Sequence, residues 1–117
     1  GESNIIYGTM PRDYLACFSG REFECLDRGF NENDPVVVVI RPEDIDLVAP
    51  REDTINGTVS SIIFMGVHFE IRIAGDDGHE WLVHSTDGRN VGERVGITLE
   101  PNDIHIMSRS QYDAADA

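Results

Sequence analysis

The chain has 117 residues and a formal net charge of −13 at pH 7, and all nine of its basic residues are arginine. A surface this acidic repels phosphate backbones, which argues against nucleic-acid binding and disfavours anionic lipid and oxyanion ligands. The length suits one compact domain, and no apolar run approaches the roughly 20 residues of a membrane-spanning helix. Because the chain opens on glycine rather than methionine, we expect it to be processed or cut from a longer protein.

Alternation between apolar and polar residues dominates the chain, and no stretch has the pattern of an amphipathic helix. The first predicted strand covers residues 4–7, and residues 14–18 and 22–26 are predicted to form a hairpin around a turn at residues 19–21. A continuous apolar run over residues 36–40 is typical of a strand that is covered on both faces.

The second half begins with a proline bend and a short strand over residues 45–47, followed by a strand over residues 59–64. The clearest alternation comes next and predicts a strand with two faces: Val67, Phe69, Ile71 and Ile73 on one side, His68, Glu70 and Arg72 on the other. A turn at residues 76–78 and strands over residues 81–84 and 95–99 follow. The prediction ends with a flexible tail over residues 108–117. Eight or nine short strands with this spacing predict an all-β barrel or sandwich.

Two segments, 36–48 and 95–107, align without a gap and are predicted to repeat a strand, a tight bend and a short strand. Four residues are identical between the copies: Val36, Pro42, Asp44 and Ile45 against Val95, Pro101, Asp103 and Ile104. Proline explains the bend because it fixes φ and removes an N–H from the ladder. The shared residues are therefore interpreted as architecture. Arg41 and Glu43, which the second copy replaces, remain candidates for a contact.

The other polar residues give no pattern of a metal or catalytic site. Cys17 and Cys25 flank a predicted turn, so they could pair in space or be free thiols in a reducing cytoplasm. The four histidines lack the close spacing of zinc ligands, and no serine or cysteine is flanked in sequence by a plausible base. We therefore predict no metal and no catalytic residue.

Three stretches carry a family pattern: GESNI at residues 1–5, FEC at residues 23–25 with Asp27, Gly29 and Phe30 after it, and VIRPEDI at residues 39–45. They resemble the TOBE domain, the transport-associated OB fold at the C-terminus of the ATP-binding subunits of ABC importers. Four more are similar to the spermidine/putrescine branch of that family: GTV at 57–59, FMGVHFE at 64–70, EWLVHST at 80–86 and PNDIH at 101–105.

The resemblance implies an OB-fold-like small barrel over residues 1–107, on the cytoplasmic face of the membrane as part of a transporter complex. Its implied partners are its own nucleotide-binding domain, a second copy of the ATPase subunit and the transmembrane permease subunits. The chain has no GxxxxGK[ST] phosphate loop. We therefore expect no enzymatic activity and no cofactor in this chain, with ATP and Mg²⁺ bound by a nucleotide-binding domain outside it.

Six residues form the candidate subunit-contact or ligand surface: Arg41, Glu43, His68, Glu70, Trp81 and His84. His68 and His84 lie in neighbouring predicted strands, so we expect them to share an outer face. Two functions remain open: an accessory domain that contacts and regulates other subunits, and a sensor that binds a polyamine cation through carboxylates and aromatic rings, Trp81 and Phe69 among them. A nucleic-acid-binding OB domain is disfavoured, because these aromatic residues neighbour acids rather than basic residues. Phe69 and Trp81 are also interpreted as part of the core or of a subunit contact.

Overall fold

The computed structural model describes residues 2–116, which form ten β-strands, two 3₁₀ turns and one α-helix. The elements are β1 (Asn4–Arg12), β2 (Leu15–Phe18), β3 (Arg21–Glu24), β4 (Asp34–Ile40), the first 3₁₀ turn (Pro42–Asp44), β5 (Asp46–Val48), β6 (Ile55–Phe64), β7 (Phe69–Gly75), β8 (Glu80–Ser85), β9 (Arg94–Thr98), the second 3₁₀ turn (Pro101–Asp103), β10 (His105–Ser108) and α1 (Arg109–Asp116). The all-β prediction is confirmed, with ten strands rather than eight or nine. No helix in this part of the chain has the length and apolar composition that crossing a bilayer requires.

The chain divides into two compact units, each built on one five-stranded antiparallel sheet. The first unit comprises residues 4–40 and 100–116, with strand order β10-β4-β1-β2-β3. The second comprises residues 2–3 and 41–99, with strand order β5-β9-β6-β7-β8. Both strand orders are linear, so neither sheet closes on itself through the described strands.

The core of the first unit is centred on β4. Val36, Val37 and Val38 are fully buried, which confirms that this strand is covered on both faces. Its neighbours are β1, paired from Asn4↔Ile40 to Met10↔Asp34, and β10. Consecutive buried valines are what a central strand of a small core requires, because β-branched side chains pack well on a pleated surface.

Residues 109–116 form a helix where the sequence analysis expected a flexible tail over 108–117. Ser108 and Gln111 form a capping box, in which the Gln111 N–H donates to Ser108 Oγ at 3.1 Å and the Ser108 N–H donates to Gln111 Oε1 at 3.3 Å. The guanidinium of Arg109 lies 4.2 Å from the centre of the Tyr7 ring, a cation–π contact to β1. These contacts correct the expectation of irregular structure; the flexibility of the segment stays a prediction.

The core of the second unit is formed by β6, β7, β8 and β9. Its fully or almost fully buried side chains include Val59, Ile71, Ile73, Trp81, Val83, Val95 and Ile97. Trp81 is opposite Ile73 in the β7–β8 ladder, so both side chains lie on the same face of the sheet. The alternation predicted for Ile71 and Ile73 is therefore confirmed.

Val67 departs from that alternation. It lies in the loop between β6 and β7 and is 81% exposed, so the prediction that it shares a buried face with Ile71 is wrong. The loop is closed by a hydrogen bond from the Met65 N–H to the His68 carbonyl at 2.8 Å. Gly66 has φ of +98°, a conformation that glycine adopts without steric cost. The glycine turn delays the start of β7 to Phe69.

The two proline bends have the same architecture. In the first, the Asp44 N–H donates to the Arg41 carbonyl at 3.0 Å; in the second, the Asp103 N–H donates to the Glu100 carbonyl at 2.9 Å. Each bend is followed by a buried isoleucine, Ile45 or Ile104, both 3% exposed. The first bend joins β4 to β5 and the second joins β9 to β10, so each bend is a point where the chain leaves one sheet and enters the other.

An ion pair between Arg94 of β9 and Asp76 of the β7–β8 turn makes the stability of the second unit depend on pH. Arg94 Nη1 and Nη2 donate to the two Asp76 carboxylate oxygens at 2.6 and 2.7 Å. These hydrogen bonds lower the pKa of Asp76. A carboxyl group with a lowered pKa stabilises the fold above its unfolded pKa, near about 4, and this contribution is lost as the pH falls through the folded pKa.

We therefore expect Asp76→Asn to lower the urea midpoint at about pH 7, and we expect the difference from the parent to shrink as the pH falls below about 4. Urea titrations followed by circular dichroism across this range measure the difference. Arg94→Gln should show the same pH dependence, because it removes the other partner. A difference that stays constant down to about pH 3 would contradict the assignment.

Candidate functional site

Four of the six predicted site residues line two cavities in the second unit that share Glu43 and His84. The larger cavity has a volume of about 520 Å³, and Glu43, His68 and His84 are among its lining residues. A smaller one of about 330 Å³ shares Glu43 and His84 and adds Arg41, Glu2 and Ser3. Arg41 therefore lines the smaller cavity and not the larger one.

The larger cavity brings together residues from three separate segments. Glu43, Ile45 and Asp46 come from the stretch that joins the first 3₁₀ turn to β5, and His68 comes from the β6–β7 loop, while the end of β8 and the following bend contribute His84, Ser85, Thr86 and Asp87. Its charged lining consists of three carboxylates and no arginine. A cavity with this lining favours cations, and the hydroxyl groups of Ser85 and Thr86 add hydrogen-bonding capacity.

The two histidines are stacked at the wall of this cavity. Their ring centres are 4.4 Å apart with 33° between the ring planes, which confirms that His68 and His84 lie together. The prediction that both lie in strands is wrong, because His68 belongs to the β6–β7 loop. Glu70 is opposite His84 in the β7–β8 ladder, and its Oε2 lies 3.9 Å from His84 Nε2, too far for a hydrogen bond. The other Glu70 oxygen is 3.4 Å from the guanidinium of Arg72. Glu70 therefore lies beside the histidine pair without a hydrogen bond to His84.

Arg41 has a structural partner that the sequence analysis did not assign. Its Nε donates to Asp44 Oδ2 at 2.9 Å within the first 3₁₀ turn. The second turn lacks this pair; there the Glu100 N–H donates to Asp103 Oδ2 at 2.9 Å. Of the two residues proposed for a contact specific to the first copy, the exposed Glu43 faces both cavities, whereas Arg41 stabilises its own bend.

Trp81 is not a surface residue, and its prediction as part of a contact or ligand surface is wrong. Its side chain has no exposed area, and its ring packs edge-on against His79 at 4.9 Å between centres. Trp81, Leu82 and Val83 are all buried, so the core takes three consecutive residues of β8. The ring cannot lie over a bound cation, which removes the cation–π contact predicted for it.

The thiols and the histidines show no reactive arrangement among the described residues. Cys17 and Cys25 are both free, which resolves the alternative that the sequence left open. Burial raises the pKa of the Cys25 thiol, so it stays protonated and weakly nucleophilic at neutral pH. Across the side chains of residues 2–115, no group of three or more His, Cys, Asp or Glu could hold a metal ion together.

Comparisons with known proteins bear on this architecture. The model of the TOBE domain family matches residues 38–107. The chain is 50% identical over 113 residues to the spermidine/putrescine import ATP-binding protein PotA of Desulfitobacterium hafniense, covering 97% of this chain and 32% of that protein. The proteins of the same name from Acetivibrio thermocellus and Clostridioides difficile are 49% and 47% identical over 114 and 109 residues, covering 97% and 93% of this chain. The chain spans about a third of the length of these relatives.

A solved structure has the same fold. The cytoplasmic molybdate-binding protein ModG, crystallised with molybdate bound, matches with a TM-score of 0.75 over 90% of this chain and 95% of that chain. The sequence identity is 16%, so the likeness concerns the fold and not the ligand. The OB-fold-like assignment is thereby confirmed.

Proposed function

Because the chain belongs to the TOBE domain family, we propose that it is an accessory and regulatory domain of the ATP-binding subunit of a spermidine/putrescine-type ABC importer. The observation that carries this proposal is the identity of about half of all residues, over almost the whole chain, to the PotA proteins of three bacteria. In this role the domain packs against its own nucleotide-binding domain, a second ATPase subunit and the permease subunits. It works on the cytoplasmic face of the membrane.

The chemistry of the described residues supports a binding role rather than a catalytic one. Two arginines of the second unit have structural partners: Arg41 with Asp44, and Arg94 with Asp76. The relatives are about three times longer than this chain, which leaves room in them for a nucleotide-binding domain. We place ATP and Mg²⁺ binding, and the hydrolysis that drives polyamine import, in that domain.

Assembly of a chimera tests the accessory role. The matching segment of the D. hafniense relative would be replaced by this chain and the protein produced with its permease subunits. We expect the tagged chimera to co-purify the permease subunits as the unmodified relative does, and we expect a version truncated before the segment to retain less of them. Equal recovery by the truncated protein and the chimera would show that this domain contributes nothing to assembly.

The larger cavity favours a second function, in which the domain senses the imported cation. Its volume of about 520 Å³ falls within the range of small-molecule sites, roughly 300–1,000 Å³. Spermidine carries three ammonium groups along an extended chain, and the cavity offers the carboxylates Glu43, Asp46 and Asp87 for them. Binding there would report the internal polyamine concentration to the transporter.

Calorimetric titration of the chain with spermidine separates the two functions. If the domain is a sensor, the titration should give saturable heat at or below millimolar spermidine. The double variant Glu43→Gln, Asp87→Asn should bind spermidine at least about tenfold more weakly, because each substitution removes a charge-assisted contact. Glu52→Gln, an exposed acid on the β5–β6 loop, is the matched control and should bind like the parent. If millimolar spermidine gives no heat, the sensor is excluded and the accessory role remains.

A further inference from the structure

The β6–β7 hairpin carries a concentrated apolar surface at its end. Ile63, Phe64, Met65 and Val67, here called the apolar tip, are 54%, 62%, 53% and 81% exposed. The other exposed large hydrophobic side chains of the described residues, Tyr7, Tyr14, Leu26 and Val91, are scattered along the chain. Single exposed apolar residues are ordinary, whereas a contiguous group marks an interaction site.

The fold does not require these side chains to be apolar. The loop is set by backbone features, the hydrogen bond from the Met65 N–H to the His68 carbonyl and the positive φ of Gly66. The next hairpin of the same sheet, between β7 and β8, has the polar turn that is usual for a hairpin, since it is formed by Asp76, Asp77 and Gly78. Phe64 packs against the Phe69 ring at 5.1 Å between centres, but most of its side chain and those of Ile63, Met65 and Val67 remain exposed to water.

The surroundings of the apolar tip are acidic. Ile63 is opposite Glu70 in the β6–β7 ladder, and His68 at the base of the loop lines the cavity that holds Glu43, Asp46 and Asp87. Each arginine of the second unit is paired with a carboxylate: Arg41 with Asp44, Arg51 with Asp53, Arg72 with Glu70 and Glu80, Arg89 with Glu93, and Arg94 with Asp76. Arg72 therefore partly offsets Glu70, whereas the cavity carboxylates Glu43, Asp46 and Asp87 have no arginine partner among the described ion pairs.

We propose that the apolar tip is a docking site for a protein surface that offers an apolar socket bordered by lysine or arginine side chains. Phe64, Met65 and Val67 enter the socket, and the basic border pairs with the acids beside the tip. Charge complementarity of this kind accelerates encounter and selects the partner. The inference stands apart from the proposed function, because it uses only the exposure and charge of the second unit.

The same charges disfavour the other occupants. A second copy of the chain would bring two acidic borders together, since every copy carries a net charge of −13. A bilayer with anionic lipids would repel the carboxylates beside the tip, and the tip has no lysine or arginine to anchor it.

Two designed peptides test the proposal with defined probes. Both are amphipathic helices with the same leucine face, bordered by arginine in one and by glutamate in the other. We expect the arginine peptide to bind the ¹⁵N-labelled chain, to shift the amide resonances of the tip and to bind more weakly as salt is raised. The glutamate peptide should bind at least about tenfold more weakly.

Variants then locate the binding. Phe64→Ser together with Val67→Ser should weaken the arginine peptide by about tenfold or more, as expected where hot-spot side chains are removed. Val91→Ser is the matched control, because Val91 is an isolated residue with 63% exposure. Circular dichroism would confirm that all variants are folded. Unchanged affinity in the tip variant, or equal affinity for both peptides, would overturn the proposal.

Two further measurements test whether the apolar tip binds a second copy of the chain or a lipid bilayer instead. Sedimentation equilibrium would reveal self-association, and flotation with phosphatidylcholine/phosphatidylglycerol vesicles would reveal membrane binding. We expect a monomer that does not float. Self-association or vesicle binding that the tip variant abolishes would assign the tip to a second copy or to lipid, and would contradict the basic protein partner.

Discussion

Replacing Trp81 with alanine is expected to lower the free energy of unfolding by about 3–5 kcal/mol, the largest loss that we predict for a single side chain. Trp81 is the largest of the fully buried side chains and lies opposite Ile73 across the β7–β8 ladder. Removing the indole leaves a cavity in the centre of the second unit, and a sheet that is hydrogen-bonded on both sides of β7 collapses into it only partly.

Two matched variants show that the loss comes from this core. Trp81→Phe should cost clearly less than Trp81→Ala, because it keeps an aromatic ring and removes an indole N–H that has no hydrogen-bond partner among the described residues. Phe64→Ala removes an aromatic ring that is 62% exposed and should change stability by less than about 1 kcal/mol. Urea unfolding followed by far-ultraviolet circular dichroism compares the three, and similar losses for Trp81→Ala and Phe64→Ala would contradict the assigned core.

Gly57→Ala is expected to cost about 1–3 kcal/mol, because β6 approaches β7 too closely there for a side chain. A Cβ at Gly57 would lie 2.6 Å from the Ala74 carbonyl oxygen and 2.6 Å from Ile73 Cγ2. The carbonyl belongs to the backbone of a central strand, so it cannot move aside without disturbing the ladder. The sheet must shift to accept even one methyl group.

Gly88→Ala is the control for the general effect of replacing glycine. Its Cβ would meet only the Phe69 ring, at 3.5 Å, which is ordinary contact. This variant should be neutral or more stable by about 0.4–1 kcal/mol, because alanine restricts the unfolded chain. Urea midpoints of the two variants measure the difference. A smaller loss at Gly57 than at Gly88 would contradict the register of β6 with β7.

Local patterns predicted most of the strands, and features that depend on hydrogen bonds or on neighbouring strands were missed. The apolar run at 36–40 and the alternation of Ile71 with Ile73 depend on the period of a strand, which the sequence carries directly. The strand β1 extends to Arg12 rather than residue 7, because its pairing with β4 and β2 overrides Gly8 and Pro11. The helix after Ser108 depends on a capping box that the sequence did contain.

The candidate site was predictable only in part, because its cavity is assembled from distant segments. Glu43 was singled out because the second copy of the repeat replaces it, and His68 and His84 because they lie in neighbouring predicted strands. Their convergence at one cavity is a property of the fold. Asp46 and Asp87 also line it, yet nothing distinguishes them in sequence from the other acids of a chain with 22. Trp81 was assigned both to the core and to the ligand surface, because a tryptophan beside an acid fits either position. Its burial confirms the core and excludes the surface.

Spermidine uptake by cells that carry the chimera tests the central claim most directly. The host would lack its own polyamine importer and would produce the D. hafniense relative, with the matching segment replaced by this chain, together with its permease subunits. The accessory role predicts uptake close to that of the unmodified relative and well above that of the truncated protein. A chimera that is produced, assembles and hydrolyses ATP, yet imports no more spermidine than the truncated protein, would contradict the claim.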